Sequence, residues 1–138
     1  MIAYLDASVV LRLVLGEPKR LAEWKRVRAA VASALTEVEC LRTLDRLGHS
    51  GALTGNEVAG RREEVYRLLE AVDLVQVAPS ILRRASEPFP APLGTLDAIH
   101  LATALAWRDA NDVALTVATH DKALAVAARS VGLKVIGD

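Results

Sequence analysis

"VALTVATHDKALAVAARSVGLKVIG", residues 113–137, is the stretch that decides the fold. Its opening, "VALTVAT", is apolar without polar alternation, as a strand buried on both faces must be. "KALAVAARSVG" (122–132) then reads as a helix closed by Gly132, and "KVIG" (134–137) as a last short strand.

The same alternation extends back to the N-terminus. "IAYLD" (2–6) is an apolar strand, and "SVVLRLVLG" (8–16) a helix that Ser8 can cap and Gly16 stops. "PKRLAEWKRV" (18–27) reads as an amphipathic helix with Pro18 near its start, and "AAVASA" (29–34) as a brief buried strand. From Leu35 to Leu47, leucines and Val38 recur every third residue, giving a helix that ends at Gly48. After a turn region (49–56) come a charged helix at 57–72, a strand at 73–79 and a short helix at 80–87. "EPFPAP" (87–92) is a loop, and the long helix from Thr95 to Ala110 follows it. Strands alternating with helices predict a three-layer α/β/α fold around a mostly parallel central sheet, in one domain over residues 1–138. Ligands of such sheets bind outside the carboxyl ends of the strands.

Composition narrows the function. Hydrophobic residues make up 52% of the chain and aromatics 4%, so the core must be built from Ala, Val and Leu. Seventeen basic and 17 acidic residues cancel, which argues against a protein that simply coats nucleic acid. No apolar run is long enough for a membrane span, and the apolar N-terminus contains Asp6 and Arg12, a poor signal peptide. A single cysteine, Cys40, excludes an internal disulfide and fits a reducing cytoplasm.

The informative residues are acids at element boundaries. Asp6 ends the first strand, Asp121 follows "LTVATH", and Asp97 opens the most apolar helix of the chain, "TLDAIHLATALA" (95–106). A fourth acid should lie on the helix 35–47, where Glu37 and Glu39 compete. They stand about 200° apart on the helix and cannot share a face. Each acid also has an ordinary use. Asp6 and Asp121 can cap helices, Asp97 can favour the positive end of its helix, and a glutamate on a helix is commonly solvated. Together these uses require separate coincidences at one sheet edge, and an acid cap can serve both purposes.

Clustered carboxylates repel one another, and a divalent cation relieves the repulsion. All-oxygen ligands suit Mg²⁺ or Mn²⁺, while His49, His100, His120 and Cys40 show no zinc spacing. Acids around a hard cation carry out phosphodiester chemistry. The chain has no glycine-rich phosphate loop and no serine elbow, which argues against an NTPase and a serine hydrolase.

Four pieces of the chain resemble the PIN-domain nucleases, and within them the VapC-type toxins of toxin–antitoxin pairs. They are "YLDASVVLRLVL" near the start, "SALTEVECLRTL" (33–44), "LGTLDAIHLATAL" (93–105) and "ATHDKALAVAARSVGLKVIG" (118–137), in the family's order and spacing. The third is the most specific. The resemblance implies a pocket of acids binding Mg²⁺ or Mn²⁺, with Asp6, Glu39, Asp97 and Asp121 as ligands. Glu39 matches the family's glutamate and Glu37 a variable position. Ser8 and Thr119 match supporting hydroxyl residues. Arg42, at i+3 from Glu39, and Arg12 are candidates for contacts to the RNA backbone. His100 recurs in the motif, and on an apolar helix it reads as a structural hydrogen-bonder; His120 reads as a surface residue.

The implied activity is a metal-dependent endoribonuclease whose activated water attacks phosphorus in line, with no single side chain marked as general base. The implied target is single-stranded or loop RNA. The implied partners are a cognate VapB-type antitoxin, with helices 8–15, 35–47 and 57–72 offering the groove, and a second copy of the chain. Three rivals share features of the pattern. A haloacid-dehalogenase-like phosphatase would need a second Asp where Ser8 stands. A receiver-like module would need a lysine at a separate strand end, whereas Lys122 adjoins Asp121. A catalytically silent PIN-like interaction module would have little use for all four acids.

Overall fold

The computed structural model describes residues 1–138. In chain order it contains β1 (Ile2–Leu5), α1 (Ala7–Leu15), a 3₁₀ segment (Ala22–Arg26), β2 (Ala29–Ser33), α2 (Leu35–His49) and α3 (Gly55–Leu69). Then follow β3 (Val72–Val75), α4 (Pro79–Ala85), α5 (Thr95–Asn111), β4 (Thr116–Ala118), α6 (Lys122–Ser130) and β5 (Lys134–Ile136). The strands form one sheet in the order β3-β2-β1-β4-β5, and every pair is parallel. The sheet is therefore wholly parallel rather than mostly so.

Alternation along the strands divides the core into two layers. Ala3 and Leu5 face one side, with Val9, Val10 and Val14 of α1, Cys40 and Leu44 of α2, and Val65 and Leu69 of α3. Tyr4 faces the other, with Leu101, Ala104 and Leu105 of α5 and Leu124, Ala127 and Ala128 of α6. Small side chains dominate both layers, so the helices approach the sheet closely despite the scarcity of aromatics.

The chain leaves β1 toward β2 on one side and returns to β4 on the other. The β1/β4 junction is thus the topological switch point, where the crossovers diverge and a crevice opens at the carboxyl ends. Leu5 pairs with Ala118, and the Asp6 amide donates to the Ala118 carbonyl at 3.0 Å. The register sets Asp6 directly beside Thr119.

Several boundaries differ from the sequence expectation, among them α2, which runs past Gly48 to His49, and β3, which stops at Val75; three others have identifiable reasons. Residues 18–27 do not form an α-helix. Leu21, Trp24 and Val27 recur every third residue and all pack on the core, and Trp24 N–H to Leu21 and Val27 N–H to Trp24 bonds close 3₁₀ turns. α3 starts at Gly55 because Thr54 and Glu57 form a reciprocal capping box. β4 is only Thr116–Ala118, although the apolar run began at Val113. Gly16, in the left-handed region at φ 66°, ends α1 as expected.

Gly137, just after β5, has φ 96°, and a Cβ there would lie 2.8 Å from the Thr119 carbonyl oxygen. Gly51, at φ 79°, has open space around it. Gly51→Ala should therefore cost about 1 kcal/mol from backbone conformation alone. Gly137→Ala should cost about 2–3 kcal/mol, because it must also displace the backbone of the 119–121 loop. Denaturant titration of the two variants checks this, and equal losses would contradict a close approach at Gly137.

Candidate active site

Asp6 is the anchor of the carboxyl edge. It is the N-cap residue of α1, yet its side chain makes no capping bond. Instead Oδ2 accepts from Ser8 Oγ at 2.6 Å and from Thr119 Oγ1 at 2.9 Å. Ser8 therefore binds the acid rather than capping α1. Each hydroxyl has one proton and spends it on Asp6, so each turns a lone pair to the next backbone amide. Ser8 Oγ accepts from His120 N–H at 3.0 Å, and Thr119 Oγ1 from Asp121 N–H at 2.9 Å. Two hydroxyls thus tie the loop after β4 to the acid after β1. Asp121 caps α6 by accepting from Leu124 N–H at 2.9 Å through Oδ1. Its exposed position leaves the other carboxylate oxygen available at the edge.

Tyr4 and Asp6 are two residues apart, so both point toward α5. There His100, fully buried, joins three elements. Its Nδ1 meets the Tyr4 hydroxyl at 2.8 Å, its Nε2 meets Glu39 Oε1 of α2 at 2.5 Å, and Asp6 Oδ1 lies 3.9 Å from Nε2. Glu39 is therefore the α2 glutamate that reaches across to α5, whereas Glu37 makes no hydrogen bond or ion pair. Burial opposes a charged imidazole. The Glu39 hydrogen bond and the negative charges of Glu39, Asp6 and Asp97 outweigh that, and the His100 pKa is raised.

Asp97 sits in the first turn of α5, one turn before His100, without a capping bond of its own. Partial burial pushes its carboxyl up to about 6, and the charges of Asp121, Asp6 and Glu39 add to the rise. Asp97 thus senses acids from three other segments of the chain. No three of them, with or without histidine, converge into a closed metal cage. The donor set fits a hard divalent cation that keeps waters and takes the remaining oxygens from substrate, the usual habit of Mg²⁺.

The flanking arginines lie differently from the sequence expectation. Arg42 pairs with Asp45 at 2.9 Å, not with Glu39, and its side chain is 63% exposed. The Arg12 guanidinium donates to the Lys19 carbonyl at 3.0 Å and lines a cleft with Lys19, Arg20, His120 and Lys122. His120 is half-buried rather than a plain surface residue, its Nδ1 bonded to the Gly137 carbonyl at 2.5 Å. Sequence reading missed Tyr4 as the second partner of His100. The available signal was its two-residue spacing from Asp6 in an otherwise aliphatic strand.

This arrangement has recognisable relatives. The chain is 35% identical over 136 residues to Ribonuclease VapC46 of Mycobacterium tuberculosis, covering 96% of this chain and 95% of that protein. It is 31% identical over 108 residues to Ribonuclease VapC47 of the same species, covering 73% of each. Its fold superposes on a chain of a toxin–antitoxin complex from Klebsiella pneumoniae with a TM-score of 0.68 at 16% identity, covering 97% of this chain and 95% of that one. The family model of the PIN domain matches residues 3–130. With that match spanning almost the whole chain, the protein belongs to the PIN domain family.

Proposed function

We propose that the protein is a divalent-metal-dependent endoribonuclease and the toxin of a toxin–antitoxin pair. The observation that carries this reading is the placement of Asp6, Asp97 and Asp121 at element ends by the switch point, with Glu39 drawn toward Asp6 through His100 and Asp97 within the charge field of the other three. Those four side chains would hold Mg²⁺ or Mn²⁺. A bound divalent cation supplies activation of water and stabilisation of charge on the phosphate and leaving oxygens.

The chain's own residues supply the rest. Ser8 and Thr119 fix the Asp6 carboxylate by donating to one oxygen, which directs the other toward the pocket. His100 fixes the Glu39 side chain, and Tyr4 fixes the imidazole. Burial, with the charges of its neighbours, raises the Asp97 carboxyl to about 6. Arg12 lines the cleft beside Glu17, 3.6 Å away, and Arg42 pairs with Asp45, so each would leave an acid to meet a phosphate.

The relatives' names support ribonuclease action, and the toxin–antitoxin complex among the structural neighbours supports a VapB-type antitoxin as partner. A homodimer and a cytoplasmic location belong to the same reading. No helix is long and apolar enough to cross a membrane. The three helices expected to offer an antitoxin groove, α1, α2 and α3, bury most of their apolar residues against one another. Val38 and Tyr66 remain exposed on them.

Purified protein given total cellular RNA with Mg²⁺ or Mn²⁺ should yield discrete fragments. EDTA should abolish them, and Asp97→Asn should slow them by at least about 100-fold, the scale of losing a charged group at a reaction centre. Equal cleavage by Asp97→Asn would reject the assignment of the carboxylates.

The clustered acids also destabilise the metal-free fold. The folded pKa of Asp97, about 6, lies above the usual 3.8, so its ionisation costs stability that grows from about pH 4 and is complete above pH 6. In EDTA at pH 7.5, Asp97→Asn should raise the Tm by about 3 °C, corresponding to about 1 kcal/mol after solvent screening. The gain should shrink at pH 4, where the unfolded carboxyl is still about half ionised, and vanish by about pH 3, where both folded and unfolded carboxyls are largely protonated. Thermal melts across this range test the sign, and a gain undiminished at about pH 3 would rule out the ionisation argument.

A further inference from the structure

The α1–β2 connection is the most basic stretch of the chain. Residues 18–28, "PKRLAEWKRVR", carry Lys19, Arg20, Lys25, Arg26 and Arg28 against one acid, Glu23. Six cations elsewhere are neutralised in place, in Arg12–Glu17, Arg42–Asp45, Arg61–Glu64, Arg84–Glu87, Arg108–Asp109 and Arg129–Asp138. None of the five cations of 18–28 makes an ion pair. A chain of zero net charge thus places five cations without ion pairs within one short connection.

That connection spans the molecule from one edge of the sheet to the other. Leu21 lies against Gly137 at the carboxyl end of β5. At the opposite edge the Arg28 amide bonds the Met1 carbonyl, and the N-terminal amine bonds the Arg26 carbonyl. At the carboxyl edge Lys19 and Arg20 join Arg12 and Lys122 around a cleft of about 530 Å³. One of its two acids, Asp138, is already held by Arg129 at 2.6 and 2.7 Å. Lys122 directly follows Asp121, so the cleft opens beside the carboxylates. At the far edge Met1, Lys25, Arg26 and Arg28 line a second cleft.

We propose that the first cleft binds backbone phosphates of the RNA, and that residues 18–28 form the track along which the strand leaves the carboxylates. The inference rests on the nuclease reading above. A phosphodiester brought to four acids is repelled by them, and unpaired cations beside the site offset that repulsion without breaking an existing ion pair. Binding releases counterions from the RNA in proportion to the phosphates neutralised. An acidic protein segment would satisfy the same charges, but only Leu21 and Ala22 of the cleft lining are apolar, too little to anchor a protein partner.

The test compares the native chain with Lys19→Gln/Arg20→Gln/Lys122→Gln, and with Arg46→Gln/Arg67→Gln/Arg83→Gln on α2, α3 and α4, which removes the same charge elsewhere. The probe is a fluorescein-labelled 20-nucleotide polyuridylate, bound in EDTA so that it stays intact and read by anisotropy across a salt series. Losing three phosphate contacts should make the log–log salt slope shallower by about 2 and weaken binding at least about tenfold at 0.1 M salt. The control triple should stay within about twofold of native. Equal slopes for native and cleft variant would overturn the proposal and leave an acidic protein segment as the cleft's ligand. With Mg²⁺ and total RNA, the cleft variant should show raised KM and unchanged kcat. A native chain that cuts RNA, with a cleft variant that binds and cuts equally well, rejects the track alone. A native chain that cuts nothing, while the slope difference persists, rejects the nuclease reading and supports the phosphate cleft. Thermal melts of both triples confirm that the exposed substitutions leave the fold intact.

Discussion

The pairing of β1 with β4 is the constraint on which the rest of the site depends. It joins residues 113 positions apart in sequence, Asp6 and Thr119, at the place where the sheet's crossovers diverge. Ser8 and Thr119 then convert adjacency into fixed geometry. Their protons go to one Asp6 oxygen and their lone pairs to the amides of residues 120 and 121. Because a hydroxyl has only one proton, the donor pattern is determined, and the acid after one strand sets the loop after another. Gly137 completes the arrangement from the third side, since any side chain there would meet the Thr119 carbonyl.

A second chain of contacts fixes the acid from α2. Tyr4, His100 and Glu39 come from a strand and two helices on opposite faces of the sheet, and they meet because the imidazole has two nitrogens to offer. The buried histidine lies beside acids, and their charge raises its pKa against the cost of burial. Asp97 carries the opposite consequence, a carboxyl held near neutrality by burial and by its neighbours. A fold optimised only for stability would not gather these groups. Their repulsion, seen in the raised Asp97 carboxyl, is a cost the fold carries at this edge.

The positive charge is distributed with equal purpose. Arg42, Arg61, Arg84 and Arg108 are spent on acids within a turn of chain, while the five cations of residues 18–28 and Lys122 make no ion pair. A net charge of zero therefore conceals a strongly polarised surface, with acids at the switch point and free cations alongside.

Much of this was legible in the sequence, because local chemistry alone determines it. Apolar strands alternating with helices fixed the layers and the parallel sheet, Gly16 and Gly132 marked helix ends, and Asp6, Asp97 and Asp121 fell at element boundaries that such a sheet gathers at one edge. Local signals failed where a residue's role depends on what packs against it. Leu21, Trp24 and Val27 suit an amphipathic helix as well as a 3₁₀ run, and only the core they cover decides between them. Glu37 and Glu39 are equivalent in their own helix, and they differ only because His100 stands on the far side of the sheet. Arg42 has acids at two spacings and takes Asp45. The resemblance marks Ser8 and Thr119 as supporting hydroxyls, but their joint tie to Asp6 depends on strand order and register, which are set by the burial of whole faces rather than by any short stretch of chain.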